Sequence, residues 1–83
     1  MQVRVKLYAS LRRYRPELRV GEAFECELPD GATIGDLVSW GLQLPDREAA
    51  ITLVNGLYQA RDYPLMDGDS VSIWPPIAGG HPS

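Results

Sequence analysis

The sequence predicts an α+β domain in which one main helix packs on one face of a mixed sheet of about five strands. Several short segments alternate apolar and polar residues, which is typical of half-buried strands. Only one segment, which begins at Thr33, spaces its apolar residues as a helix does. Because that helix lies between two sets of strands and acts as a crossover, we expect the first strand to run parallel to the last one.

The first two strands are predicted from a period of two in residues 3–7 and 24–28. A Pro-Asp-Gly turn signal at residues 29–31 ends the second strand. Between the strands lies a basic segment, residues 9–21, for which we expect an open loop with one helical turn around Leu11. The two strands are therefore predicted to form an antiparallel pair.

The helix is predicted from its cap, its apolar face and its end. Thr33 is a suitable N-cap, and Asp36, three residues later, completes a capping-box pattern. Gly41 marks the predicted end and Pro45 prevents continuation, so we expect a helix of about two to three turns. The apolar residues that recur at helical spacing are Ile34, Leu37, Val38 and Leu42. They predict the face that packs on the sheet.

Three further strands are predicted in the second half of the chain. The apolar run Ile51–Val54 ends in Asn-Gly at residues 55–56, a strong hairpin signal, and residues 57–60 return as a short, weak strand. The last strand covers residues 70–74, where the pattern again has a period of two. The prolines at 75–76 end it, because neither can donate a ladder hydrogen bond.

Length, composition and charge narrow the class of protein. A chain of 83 residues forms one domain, and its single cysteine cannot form an internal disulfide. The net charge is −3, although residues 1–19 carry six basic side chains against one acidic side chain. The acidic remainder and an isoelectric point near 4.9 indicate a protein partner rather than nucleic acid. No apolar run approaches the roughly 20 residues of a membrane span, so no membrane contact is expected and the predicted location is the cytoplasm.

The sequence contains no recognisable catalytic constellation. A Gly-rich phosphate loop, Cys/His metal spacing and a Ser/His/Asp set are all absent. The only histidine, His81, lies in the C-terminal tail, where no neighbouring group would orient it. Cys26 alternates with charged residues and is predicted to be a buried, unreactive thiol. We therefore expect a protein that is not an enzyme and holds no metal or cofactor.

The C-terminal tail is the most informative segment. Residues 75–76 are prolines, which restrict φ and favour an extended spacer. Gly79 and Gly80 carry no Cβ, so this pair can pass through a narrow channel that excludes larger residues. We therefore divide the chain into a folded domain, residues 1–76, and a flexible tail, residues 77–83, in which three residues follow Gly80.

Four motifs occur in a fixed order within residues 3–80. They are V-R-V-K-L-Y-A-S-L-R-R, L-P-D-G-A-T-I-G-D-L, V-N-G and P-L-x-D-G-D-x-V-x-I-x-P-P-I-A-G-G. Together they resemble the MoaD/ThiS family of ubiquitin-like sulfur carriers, and the last motif, residues 64–80, is the specific one. The resemblance implies a β-grasp fold, in agreement with the order of strands and helix predicted from the residues.

The resemblance also implies a role for the tail. In the MoaD/ThiS family an ATP-dependent activating enzyme adenylates the terminal glycine carboxylate, a sulfur donor converts it to a thiocarboxylate, and the tail delivers the sulfur inside a partner. The resemblance implies that Gly80 is the modified position in this chain. It also implies that Gly79 passes with Gly80 through the narrow channel of the partner. The P-P-x-A-G-G-type ending is nearer to MoaD, whose partner is the large subunit of molybdopterin synthase (MoaE). The implied role is sulfur delivery in molybdopterin or tungstopterin synthesis, by a small subunit without its own catalytic site.

The chain departs from the family pattern at its C-terminus. Family members that act directly end at the second glycine, whereas here His-Pro-Ser follows at residues 81–83. Gly80 gains a carboxylate only after a protease removes these residues, and such processing is the expected route. Two alternatives remain open: a ubiquitin-like protein modifier whose Gly80 forms isopeptide bonds with lysines, and a β-grasp interaction domain with an inert tail.

Aromatic and basic side chains predict a docking surface for a protein partner. Tyr8 and Trp74 have the opposite parity to the core residues of their strands, so they are expected to lie side by side on the outward face of the sheet. Tyr58, just past the Asn-Gly turn, is expected to join them, and exposed aromatic clusters anchor interfaces. Arg12 and Arg13 follow the first strand and are expected to meet an acidic surface on the partner.

Overall fold

The computed structural model describes residues 1–76, which form one five-stranded mixed sheet and one main helix. The strands are β1 (Gln2–Leu7), β2 (Phe24–Glu27), β3 (Ile51–Val54), β4 (Leu57–Tyr58) and β5 (Ser70–Trp74). Their order across the sheet is β2-β1-β5-β3-β4. β1 runs antiparallel to β2 and parallel to β5, while β3 is antiparallel to both β4 and β5. The predicted antiparallel first pair and the predicted parallel pairing of the first and last strands are both confirmed.

The main helix, residues 34–41, begins at the predicted cap. Thr33 Oγ1 accepts a hydrogen bond from the Asp36 backbone N–H at 3.2 Å, and Asp36 Oδ2 accepts one from the Thr33 backbone N–H at 2.9 Å. This reciprocal capping box satisfies two backbone donors that the start of a helix otherwise leaves unpaired. Asp36 also places a negative charge in the first turn, where the helix dipole favours it.

The helix changes its winding after one turn and ends where the sequence predicted. Its first part, Ile34–Asp36 (α1), is α-helical, and its second part, Leu37–Gly41, is a π-helical segment. The Leu42 backbone N–H donates to the carbonyl of Leu37, five residues earlier, at 2.7 Å. This longer-range bond closes the wide turn of the π-helical segment.

The hydrophobic core lies between the helix and one face of the sheet. The apolar helical face that the spacing predicted is buried, and its residues are Ile34, Leu37, Val38 and Leu42. The strand residues in the same core are Val3, Val5, Leu7, Val54, Val71 and Ile73. Burial of each side chain of this size contributes about 1.5–3 kcal/mol, which makes this contact the main stabilising interaction of the domain.

The prediction that Cys26 is buried is wrong. Cys26 is half-buried, as is Phe24 on the same face of β2. β2 is an edge strand, so no further strand shields these two side chains. The end of the main helix covers one side of the thiol, because a Cβ added at Gly41 would lie only 3.2 Å from Cys26 Sγ. Glycine at the helix end therefore permits this close contact.

The predicted hairpin between β3 and β4 is confirmed. Asn55 and Gly56 have φ values of 52° and 87°, which place both in the left-handed conformation that a two-residue hairpin turn requires. β4 is shorter than the predicted 57–60. Just beyond its end, the Gln59 backbone N–H donates to the Thr52 carbonyl at 3.1 Å, and the Thr52 hydroxyl donates to the Gln59 carbonyl at 2.7 Å.

Two 3₁₀ helices connect the remaining elements. The first, Ala9–Tyr14, extends the single turn that was predicted around Leu11, whose side chain is buried. The second, Asp46–Glu48, precedes β3 and is held by Arg61, whose Nε donates to Asp46 Oδ1 at 2.9 Å. Within residues 1–76, no helix has the length and hydropathy that a membrane crossing requires.

The capping box leads to a prediction about stability. Thr33→Ala removes the hydroxyl that accepts from Asp36 and is expected to lower the free energy of unfolding by about 1 kcal/mol. Thr33→Ser keeps the hydroxyl and is the matched control, expected to remain close to the wild-type stability. Urea denaturation followed by tryptophan fluorescence measures both variants. Equal stability of the alanine and serine variants would contradict a stabilising role for the cap.

Candidate functional site

The candidate site lies on the sheet face opposite the main helix, which we call the outer face. Its residues alternate along each strand with those of the core, as the register requires. They are half-buried or exposed. They comprise Arg4 and Lys6 on β1, Ile51 and Leu53 on β3, Tyr58 on β4, and Ser70, Ser72 and Trp74 on β5.

One half of the outer face is apolar and concave. A shallow groove of about 320 Å³, which we call the aromatic groove, is lined by Ile51, Leu53, Tyr58, Trp74 and Pro75. Ile51 lies opposite Trp74, and Leu53 lies opposite Tyr58, in two antiparallel registers. Cross-strand neighbours of this kind pack against one another. A concave apolar surface beside a strand end is typical of a protein interface.

Tyr8 extends the aromatic groove by stacking on Trp74. The two ring centroids are 4.3 Å apart and the ring planes differ by 5°. The Tyr8 backbone N–H donates to the Ile73 carbonyl at 3.1 Å, which continues the parallel pairing of β1 with β5 by one residue. The prediction that Tyr8 and Trp74 lie side by side is therefore confirmed. Because each ring restricts the other, the stacking limits the orientations that the Trp74 side chain can adopt.

The third predicted aromatic residue also belongs to the groove, together with two residues that sequence analysis missed. Tyr58 is 75% exposed and lines the groove with Trp74. Ile51 and Leu53 were not predicted as site residues. A signal for them was present, since apolar residues occupy both parities of β3, which indicates that both faces of this strand meet apolar surroundings.

The aromatic groove includes the residue that directly follows β5. Pro75 lines the groove and directly follows β5. The predicted modified residue Gly80, its neighbour Gly79 and the extension at residues 81–83 lie outside the described residues. The groove is thus a described surface at the end of β5.

The two predicted basic residues lie in the 3₁₀ helix Ala9–Tyr14. Arg13 Nη2 donates to Glu48 Oε1 at 2.8 Å and to Glu48 Oε2 at 3.1 Å, and the Tyr14 hydroxyl donates to Glu48 Oε1 at 3.0 Å. The hydrogen bond with Tyr14, together with the negative charge of Glu48, raises the pKa of Arg13 above its ordinary value. Arg13 thus has an internal partner, whereas Arg12 forms no ion pair within residues 1–76.

Cys26 differs from a reactive cysteine. Burial raises the pKa of the Cys26 thiol, and the opposing effect of Arg15 is smaller. A thiol with a raised pKa is protonated at neutral pH and is a poor nucleophile. In the part of the chain that the structure describes, no group of three or more His, Cys, Asp and Glu side chains is arranged to hold a metal ion.

Solved structures share this fold. Putative molybdopterin converting factor subunit 1 from Pyrococcus furiosus is 29% identical, with a TM-score of 0.68 over 92% of this chain and 98% of that chain. SAMP1 from Haloferax volcanii is 24% identical, with a TM-score of 0.70 over 96% of this chain and 100% of that chain. A chain in the complex of subunits 1 and 2 of molybdopterin-converting factor from Helicobacter pylori is 22% identical, with a TM-score of 0.58 over 96% of this chain and 100% of that chain. The predicted β-grasp fold is confirmed, and the class is that of small ubiquitin-like proteins.

The family follows from the sequence comparison. The model of the ThiS family matches residues 5–80, which is most of the chain, and the protein belongs to the ThiS family. No curated protein sequence matches this chain. The resemblance to MoaD/ThiS proteins that the four motifs indicated is therefore confirmed.

Proposed function

We propose that this chain is a sulfur carrier whose Gly80, after removal of residues 81–83, is adenylated and converted to a thiocarboxylate. The carrier delivers its sulfur in molybdopterin or tungstopterin synthesis in the cytoplasm, as the small, non-enzymatic subunit of a synthase complex. Its proposed partners are an ATP-dependent activating enzyme, a MoaE-like large subunit and a protease that trims the tail. Membership of the ThiS family supports this role.

The aromatic groove is the observation that carries the proposal. A carrier needs a docking surface close to its reactive end, and the groove begins at Pro75, where the chain leaves β5. Gly80 follows Pro75 by five residues, a length of chain that spans at most about 18 Å when it is fully extended. A partner that binds the groove therefore receives the tail in its own active site, and the domain has no need of catalytic residues.

The solved structures support the choice of pathway. The Pyrococcus furiosus protein that shares 29% of its residues with this chain carries the description of a molybdopterin converting factor subunit 1. The Helicobacter pylori chain of the same fold was solved as a complex with subunit 2. We infer from these likenesses that a large subunit of the corresponding kind binds the aromatic groove here.

A second candidate function is a ubiquitin-like protein modifier. The fold likeness to SAMP1, a small archaeal modifier protein, favours it. Intact-mass and peptide mass spectrometry of the protein from cells distinguishes the two functions. A carrier exchanges oxygen for sulfur at its terminal carboxylate, whereas a modifier is recovered on lysines of larger proteins through Gly80. An unmodified terminus that still ends at residue 83 in cells supports the third alternative, an interaction domain with an inert tail.

The docking role of the aromatic groove predicts the effect of a tryptophan substitution. Trp74→Ala removes the anchor that Tyr8 orders and is expected to weaken binding of the large subunit by about 2 kcal/mol, or about 30-fold in Kd. Because Trp74 lies on the outer face, the variant is expected to stay folded. Titration calorimetry measures the affinity, and urea denaturation measures the stability.

Trp40→Ala is the matched control for that substitution. Trp40 is 63% exposed and belongs to the main helix, on the other side of the sheet from the groove. The Trp40→Ala substitution is expected to leave the affinity for the large subunit unchanged. An equal loss of affinity in both variants, or unfolding of the Trp74 variant, would show that Trp74 is not a docking anchor.

The basic residues after β1 are proposed to act on the rate of association. Arg12→Gln with Arg13→Gln is expected to slow association several-fold at low salt and to leave the dissociation rate nearly unchanged, because charges at the rim of an interface steer the encounter rather than hold the complex. Neutral substitutions are chosen because Glu48, the partner of Arg13, would repel a new carboxylate. Stopped-flow measurements at two salt concentrations give the association rates. If the double variant associates as fast as the wild type at low salt, neither arginine belongs to the docking surface.

The proposed processing step predicts which form of the protein can be activated. With ATP and the activating enzyme of the source organism, a form that ends at Gly80 is expected to acquire an adenylate or a thiocarboxylate. The purified 83-residue form is expected to remain unchanged, because its Gly80 carbonyl is part of a peptide bond. Intact-mass spectrometry measures both.

A third form controls for the shape of the tail. Gly80→Ala in the 80-residue form adds a methyl group that a narrow channel excludes, and this form is expected to fail. Equal activation of the 80- and 83-residue forms would overturn the processing requirement. Activation of neither form would favour the inert tail.

A further inference from the structure

The other half of the outer face holds a second, polar concavity. A cavity of about 200 Å³, which we call the basic pocket, is lined by Arg4, Lys6, Ala23, Ser70, Val71 and Ser72. In the parallel register Arg4 lies beside Ser70, and Lys6 lies beside Ser72. Neighbouring strands are about 4.8 Å apart, so two cationic side chains and two hydroxyls face the same small space.

The polar groups of this pocket have unused capacity to donate hydrogen bonds. Arg4 Nε lies 3.5 Å from Glu25 Oε2, in an exposed pair of the kind that contributes little. Lys6, the single lysine of the chain, forms no ion pair with any carboxylate in residues 1–76. Lys6 is half-buried as a residue, and an ammonium group beside hydroxyls favours an anion as its neighbour.

The basic pocket lies on the same sheet face as the aromatic groove, farther along β5. Ser70, Ser72 and Trp74 lie on the same face of β5, and each step of two residues along a strand is about 6.7 Å. A protein that covers Trp74 and extends by two residues along β5 therefore reaches Ser72, and with it Lys6 on the neighbouring strand. An ammonium group that is buried in such an interface without an opposite charge would weaken binding.

We infer that the basic pocket accepts a carboxylate of the partner that docks on the aromatic groove. This inference rests on the proposed docking function and adds the chemistry of the partner: an apolar segment with an aspartate or glutamate about 7–13 Å away from the group that contacts Trp74. The charge of the pocket favours a carboxylate over a phosphate. Arg4 and Lys6 together with Glu25 give one net positive charge, which matches one carboxylate.

The test compares two substitutions of Lys6 in binding to the large subunit from the source organism. Lys6→Gln is expected to weaken binding about tenfold and to reduce the dependence of affinity on salt, because one charge pair is lost. Lys6→Arg keeps the charge and is expected to retain most of the affinity. Far-UV circular dichroism verifies that both variants are folded.

A double-mutant cycle identifies the carboxylate. Each aspartate and glutamate of the large subunit is replaced by its amide and combined with Lys6→Gln. One of these pairs is expected to show non-additive losses, with a coupling of about fivefold or more. Coupling to no carboxylate, or an unchanged affinity of Lys6→Gln, would overturn the inference.

The outcome separates this inference from the docking proposal. If Trp74→Ala weakens binding and Lys6→Gln does not, the aromatic groove remains the docking surface and the basic pocket is not part of it. If neither substitution weakens binding, the docking proposal itself fails. Titration with inorganic phosphate tests whether the basic pocket binds phosphate instead of a carboxylate. The assignment to a partner carboxylate would be overturned if Lys6→Gln abolished phosphate binding but left the affinity for the large subunit unchanged.

Discussion

The parallel pairing of β1 with β5 is the contact on which the rest of this structure depends. Both strands lie inside the sheet and have a neighbour on each side. Their inward side chains form the centre of the core, while their outward side chains place Tyr8 on Trp74 and Lys6 beside Ser72. A shift of one residue in this pairing would exchange the two faces of a strand. The register therefore specifies the core and the outer face together.

The main helix makes this pairing possible and leaves one face of the sheet available. Parallel strands need a long crossover connection, and here residues 34–41 form its helical part. A helix this short has little stability alone, so its capping box and its buried apolar face hold it in place. Because the chain contributes one main helix, it covers one face of the sheet, and the aromatic groove and the basic pocket both lie on the other.

The proposed function divides binding from chemistry. The aromatic groove offers apolar area that loses water when a partner docks, which is the usual source of affinity at an interface. In the same proposal, the charges of Arg12 and Lys6 act on the rate and the selectivity of the encounter. The reaction itself is assigned to Gly80 and to the enzymes that hold the tail. This division agrees with a domain in which the Cys26 thiol has a raised pKa, Asp36 caps the main helix and Asp69 closes a turn.

The sequence by itself determined the features that depend on short stretches of chain. Alternation along a strand, the Thr33 capping box and the left-handed turn at residues 55–56 are local preferences, so they could be predicted and they are confirmed. The tertiary structure decided which distant residues share a surface. Lys6 and Ser72 meet across two strands, and Arg13 reaches Glu48, 35 residues away. Local preferences do not encode such pairs, because the sheet order that brings them together depends on the burial of the whole core.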